Sequence, residues 1–313
     1  MRRLGSALRL VAADPLALTG SIILVLVIAM AAFAPALSTH DPREIIEGEE
    51  GSVLVFDGTD WRLTGALGTL ALSGIAEHNG TSVVVGREGS AWLRRDERWH
   101  SLDTPLEADL NAATLDAAGT LLIAGKNGSA ALLHGLDSDD WHVLDTGVGA
   151  DLTGAAWLAD GSALLVGADE TILEVREGTV APLDSPLGRG LTLAAVAADG
   201  DGALLVGERG LAVTISADGE AAILTLPSFR DFNDVHVAAD GTALVVGERG
   251  ALLRRTDGDW TEDAAPDSRA LRAGWLAPDG TALAAGRNGV VLQFDGSDWH
   301  RLDTDTERHF RGI

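Results

Sequence analysis

Eight histidines are the first place to look for acid–base or metal chemistry in this chain, and their spacing argues for neither. His100, His142 and His300 each follow a tryptophan directly, at the same place in a repeating unit, which marks them as features of an outer strand. His236 and His309 fall on segments that read as innermost strands and could face a central axis, although a structural role accounts for both. The carboxylate pairs Glu49-Glu50 and Asp139-Asp140 sit in turn-like segments, where solvated charge is commoner than general acid–base catalysis. No cysteine or tyrosine is present, so thiolate and phenolate nucleophiles are excluded. Neither a Gly-x-Ser-x-Gly elbow nor an Asp-x-Asp-x-Asp-Gly calcium loop occurs. The expectation is a protein that is not an enzyme and has no cofactor and no metal site.

The cations are more informative. The formal net charge is −24, and Lys126 is the single lysine, so nearly all the positive charge is arginine. Such an acidic chain repels nucleic acid and anionic lipid headgroups, and no nucleic-acid partner is expected. Several cations nevertheless recur inside one short element, Gly-x-x-Gly: Arg87, Lys126, Arg209, Arg249 and Arg287 each lie between its two glycines. Arg230, Arg272 and Arg311 fall near the starts of the innermost strands. If turns and strand starts share one face, these eight residues form a cationic surface on an acidic body. Planar guanidinium groups suit carboxylates, so the candidate ligand is an acidic peptide, a carboxylate compound or a partner protein. The alternative is that hairpin turns are simply charged and solvated.

The elements that would position these residues follow from an internal repeat. Gly-x-x-Gly begins at Gly48, Gly86, Gly125, Gly207, Gly247 and Gly286, with a degenerate copy from Gly167 to Glu170. Successive first glycines are 38, 39, 42, 40, 40 and 39 residues apart, the length of one four-stranded propeller blade. Each unit opens with a strand of small residues, suited to a crowded axis, and continues with an apolar strand ending at the first glycine. Asn127-Gly128 and Asn288-Gly289 suit a two-residue hairpin, in which both central residues take positive φ. A third strand and a fourth, opened by Trp61, Trp99, Trp141, Trp260 or Trp299, complete the unit, with the tryptophans buried between blades. Residues 43–63 supply only strands two to four, and His309 to Ile313 align with a first strand, so the two ends of the repeat region would share a blade. The expected fold is all-β, a seven-bladed β-propeller over residues 42–313 with split-blade closure, preceded by one N-terminal transmembrane α-helix.

That helix is expected over residues 16–38, because Leu16 to Leu37 carries no charge and is long enough to span ~30 Å of hydrocarbon. Arg2, Arg3 and Arg9 before it place a tail of residues 1–15 in the cytoplasm and the propeller outside the cytoplasmic membrane, in a single-pass arrangement. A cleaved signal peptide is the rival reading, with Ala32-Phe33-Ala34 as a cleavage site that Pro35 would follow directly.

Two resemblances add to this. The stretch Arg9-Leu10-Val11-Ala12-Ala13-Asp14-Pro15, the apolar run, then Phe33-Ala34-Pro35 and Asp41-Pro42 resemble the start of permease subunits of peptide/nickel-type ABC importers. The resemblance implies a first transmembrane helix and importer subunits as partners. The family continues into further membrane helices and this chain has no second apolar span, so it is either a permease relative carrying a propeller or an anchor reused. The turn Phe294-Asp295-Gly296-Ser297-Asp298-Trp299, with its counterparts at Phe56 and Thr256, resembles the Asp-box of sialidase-type (BNR) repeats and of photosystem II assembly-factor propellers. That implies an interaction module or an assembly factor for a membrane complex; a glycan-acting hydrolase or lyase comes last. Sialidases of this architecture use a tyrosine nucleophile, which the chain lacks.

Overall fold

In the computed structural model, the described residues are 45–48, 51–56, 61–96, 98–277, 279–304 and 306–313. The second strand of each repeat shows why the sequence folds this way. Val83, Val84 and Val85 form an unbroken apolar run, and all three are fully buried because both faces of the strand are covered. Val83 and Val85 pack toward the next repeat, Val84 toward the preceding one. The same alternation holds for Leu121 and Ile123 against Leu122 and Ala124. The apolar core is therefore not inside the blades but between them, one cluster at each junction.

Seven antiparallel four-stranded sheets result. Six are continuous in sequence: blade 2 (72–101), blade 3 (110–143), blade 4 (152–182), blade 5 (193–223), blade 6 (232–262) and blade 7 (271–302). The remaining sheet, blade 1, is composite. Its strands Ile45–Gly48, Ser52–Phe56 and Trp61–Ala66 take their inner neighbour from Phe310–Gly312, with Gly48 opposite Phe310 and Glu47 opposite Gly312. Phe310, fully buried, joins Ala285 and Val291 of blade 7, and Leu72 and Val84 of blade 2 pack with Val53 of blade 1, so the ring has no gap. Trp99, Trp141, Trp260 and Trp299 pack into junction clusters, as the repeat implied.

The fold expectation is corrected as a whole. The described chain is six uninterrupted blades and one composite sheet, all β, with strands and three-residue 3-10 turns but no α-helix. No described helix is long and apolar enough to cross a membrane. The expected cytoplasmic tail at 1–15 and transmembrane helix at 16–38 lie outside the described residues. A second correction concerns the Gly-x-x-Gly turns. They are three-residue loops rather than two-residue hairpins: the Gly125 amide donates to the Ser129 carbonyl across Lys126–Gly128. Asn127 and Gly128 do take positive φ, +55° and +69°. A β carbon on Gly128 would also lie 2.1 Å from the Val148 carbonyl oxygen, on the segment leading into the next blade. The second glycine is thus required by backbone packing between blades as well as by φ. True two-residue primed turns occur instead between strands three and four, as at Asp257-Gly258 with φ of +53° and +88°.

Candidate functional site: the mouth of the central channel

Each inner strand carries a β-bulge one residue after its start. The register slips between Leu72 and Gly74, Leu110 and Ala112, Leu152 and Gly154, Leu193 and Ala195, Phe232 and Asp234, and Leu271 and Ala273. In blade 1 the slip falls opposite Arg311. A bulge leaves one residue out of the ladder and re-aims its side chain. Here it turns one side chain per blade into the channel: Ser73, Asn111, Thr153 and Ala194 on one side, Asn233, Arg272 and Arg311 on the other. On the face bearing the Gly-x-x-Gly turns, a cavity of about 810 Å³ opens above this ring. A narrower one of about 260 Å³ continues inward, walled by the remainder of the inner strands.

The ring positions do different work. Asn111 Nδ2 donates to the Leu152 carbonyl (2.9 Å), Asn233 Nδ2 to the Leu271 carbonyl (2.7 Å), and the Thr153 hydroxyl to the Leu193 carbonyl, each bridging to the next blade. Arg272 and Arg311 project into the cavity, joined there by Arg287, Asn288 and His309. Arg272 pairs with Glu248 at 3.0 Å and donates to Asn233 Oδ1 at 3.3 Å. Burial lowers the Arg272 guanidinium from its ordinary value, Glu248 opposes this, and the neighbouring Arg287 and Arg311 charges lower it further. Neither Arg287 nor Arg311 forms an ion pair with a described carboxylate. Arg287 and Arg311 thus both repel Arg272 around a space whose carboxylates are Glu248, paired with Arg272, and Asp151 on the opposite wall arc.

Of the eight cations singled out in the sequence, four line this cavity: Lys126, Arg272, Arg287 and Arg311. Lys126 is already committed to Asp109 at 2.6 Å, an interaction that, with the Glu88 amide, holds the Asp109 carboxyl below its usual range. Arg230 and Arg249 line a separate depression of about 200 Å³ with Phe229, and Arg230 pairs with Glu262 at 2.7 Å. Arg87 and Arg209 are exposed and line neither. The face also carries carboxylates that the sequence reading passed over. Asp109 accepts from the Glu88 amide, Asp151 from Asn127 and Asp231 from Arg209; His309 Nδ1 accepts the Asn288 amide at the equivalent place. Their signal was positional, because each stands two residues before the bulged one.

Two carboxylates depart from the repeat. Glu170 replaces the second glycine in blade 4, at φ +55°, and is 4 % exposed. Its carboxylate accepts from the Ser185 hydroxyl and from the Gly188, Arg189 and Leu191 amides, at 2.8, 2.8 and 3.3 Å for the amides. Burial pushes its carboxyl up, but these donors outweigh it and the net shift is downward. Asp234, just past the blade 6 bulge, lines the inner cavity and accepts only the Val235 and Gly274 amides, both at 2.9 Å. Burial raises its carboxyl to about 7 against those two bonds. His236, on the same strand, is lowered to about 4 by burial, and its buried Nδ1 has no partner. His100, His142 and His300 are exposed on outer strands. Among the described residues no three His, Asp or Glu side chains converge as metal ligands.

Residues 4–50 match the family described as the N-terminal TM domain of oligopeptide transport permease C, which supports membrane association of that segment. Comparison with curated proteins gave no match. Among solved structures, the chain is similar to YCF48 bound to D1 peptide, at 13% identity and TM-score 0.64 over 82% of this chain and 88% of that one. It is also similar to the WD40 β-propeller domain of Doa1 (12%, TM-score 0.68, 82% and 89%) and to virginiamycin B lyase from Staphylococcus aureus (12%, TM-score 0.64, 74% and 83%). At these identities the likeness is one of fold.

Proposed function

We propose that this chain is a membrane-associated, non-enzymatic interaction module whose channel mouth docks a carboxylate-bearing segment of a partner protein. The observation that carries this is the cluster of Arg272, Arg287 and Arg311 around one cavity, where only Arg272 has an ion-pair partner among the described residues and the other two repel it. An incoming carboxylate relieves that repulsion and takes paired N–H donors from planar groups. The partner on this reading is a peptide-type ABC importer, to which the amino-terminal match points, with the propeller on the outer side of the cytoplasmic membrane. An assembly role for another membrane complex is the second reading, favoured by the likeness to YCF48, a propeller solved with a bound peptide. Among the described residues no hydroxyl of the cavity wall is hydrogen-bonded to His309, Asp151 or Lys126, which favours binding over catalysis.

The test is recovery of partners from mildly solubilised native membranes, comparing wild type with the Arg272→Ala/Arg311→Ala double variant. Importer ATPase and permease subunits retained by wild type and lost by the variant support the proposal. Equal recovery by both proteins removes the channel mouth as the docking site, and recovery of an unrelated complex shifts the reading to assembly.

A further inference from the structure

The inner cavity is chemically uneven in a way the docking of a carboxylate does not use. At the position just past the bulge, four other blades present Gly74, Ala112, Gly154 and Ala195, whereas blade 6 presents Asp234. Two positions further, where Ala76, Ala156 and Ala197 stand in other blades, blade 6 carries His236. Both side chains border the inner cavity, with the Trp275 ring of blade 7 centred 6.5 Å from that of His236. Asp234 binds two backbone amides and no described cation, and each of its oxygens retains acceptor capacity. His236 Nδ1 is buried without a partner. A buried imidazole nitrogen without a partner is costly, and a buried carboxyl with spare acceptor capacity beside it gives an entering donor a second anchor.

We propose that the channel is a two-ended site for a ligand carrying both a carboxylate and an ammonium group: the carboxylate rests on Arg272 and Arg311 at the ring, and the ammonium reaches inward to Asp234 and His236. The ring residues wall both cavities while Asp234 and His236 wall only the inner one, which fixes the order of the two ends. A cation beside Asp234 offsets the burial that otherwise disfavours its charge. A neutral His236, as its depressed basicity requires near pH 7, offers an acceptor to a second ammonium N–H. The inference rests on the reading of the mouth as a carboxylate site. A free amino acid and the C-terminal lysine of a partner chain share this chemistry, at different separations of the two groups.

Titration calorimetry on the full chain tests it with matched pairs of probes: acetate against glycine, butyrate against 4-aminobutyrate, and N-acetylnorleucine against N-acetyl-lysine. At least one amino compound is expected to bind about ten times tighter than its amine-free counterpart. The pair showing the preference separates a free amino acid from a lysine chain end. Asp234→Asn should erase that preference and leave binding of the plain carboxylate unchanged, with the thermal midpoint confirming a folded variant. Should Asp234→Asn not fold, His236→Ala carries the test, with an expected loss of severalfold in the same preference. Equal binding of each pair by wild type, or a preference that survives both substitutions, overturns the two-ended site and leaves the mouth standing. Failure of every carboxylate to bind overturns both readings together.

Discussion

Blades 2 to 5 and the arc of blades 6, 7 and 1 wall the channel with the same bulged backbone, yet they use the bulge for different purposes. In the first arc the bulge presents short neutral side chains, and Asn111 and Thr153 spend their hydrogen bonds on the next blade. In the second, Asn233 also bonds to the next blade, but the bulge additionally presents Arg272, paired with Glu248, and Arg311 to the outer cavity. The odd carboxylate of each arc follows the same division. Glu170 has four donors and is held below its ordinary range, whereas Asp234 has two and is raised. At the channel wall, the first arc spends its polar side chains on neighbouring blades, whereas the second keeps Arg311 and part of the Asp234 acceptor capacity without a described partner. A repeat fold makes that contrast readable, because every position has counterparts against which a departure stands out.

The contrast can be broken or sharpened by measurement. The largest effect is expected from pH. Asp234 has a folded value of about 7 against 3.8 for the ordinary group. Folding thus favours its protonated form, and the associated stability is complete below about pH 4 and is lost as pH rises toward 7, on the order of 4 kcal/mol. His236, lowered from 6.5 to about 4, has the opposite sign over an overlapping range. Asp234→Asn should remove the Asp234 contribution, so that stability in chemical denaturation between about pH 4 and 7 rises with pH relative to wild type; an unchanged slope would show that the group is not held as described. Glu170 carries the opposite sign, its contribution present above the ordinary glutamate range and lost as pH falls through it. Glu170→Ala orphans three amides and should cost roughly 2 kcal/mol, read as a fall in the denaturation midpoint. Next, Asn111→Ala removes one inter-blade bond and should cost about 1 kcal/mol, read as a smaller fall in the denaturation midpoint. Smallest of all, Arg311→Ala should change stability by no more than about 0.5 kcal/mol while weakening carboxylate binding roughly tenfold or more. A destabilisation as large as that of Asn111→Ala would place Arg311 with the structural arc and erase the distinction.

How much of this was legible beforehand differs between backbone and side chains. The period of the Gly-x-x-Gly element announced the blades, and the small residues at 110–116 and 191–197 announced the axis, because both reflect packing that recurs in every unit. The turn type was misjudged: Asn127-Gly128 satisfies the φ requirement of a two-residue hairpin, and only the approach of the Val148 carbonyl reveals a longer loop locked against the neighbouring blade. For the site, the sequence brought forward eight cations and the structure gathers four of them at one cavity. Lys126 was indistinguishable from Arg287 without sight of Asp109, which is remote from it in the chain. Asp234 was missed altogether. Its signal was present as the single charged residue in a column of Gly and Ala, but that column becomes visible only once the bulge fixes the register.

The placement of three guanidinium groups in the mouth of a body of net charge −24 also bears on how fast a ligand arrives. From afar an anionic segment meets a repulsive field; within a few ångströms it meets attraction. Dissolved salt shortens the reach of the first to about 10 Å at 0.1 M while barely touching the second, which acts in partly desolvated space. Association should therefore quicken as ionic strength rises from very low values, the reverse of ordinary electrostatic steering, so that the propeller captures acidic segments best in saline surroundings or when a shared membrane has already brought them close.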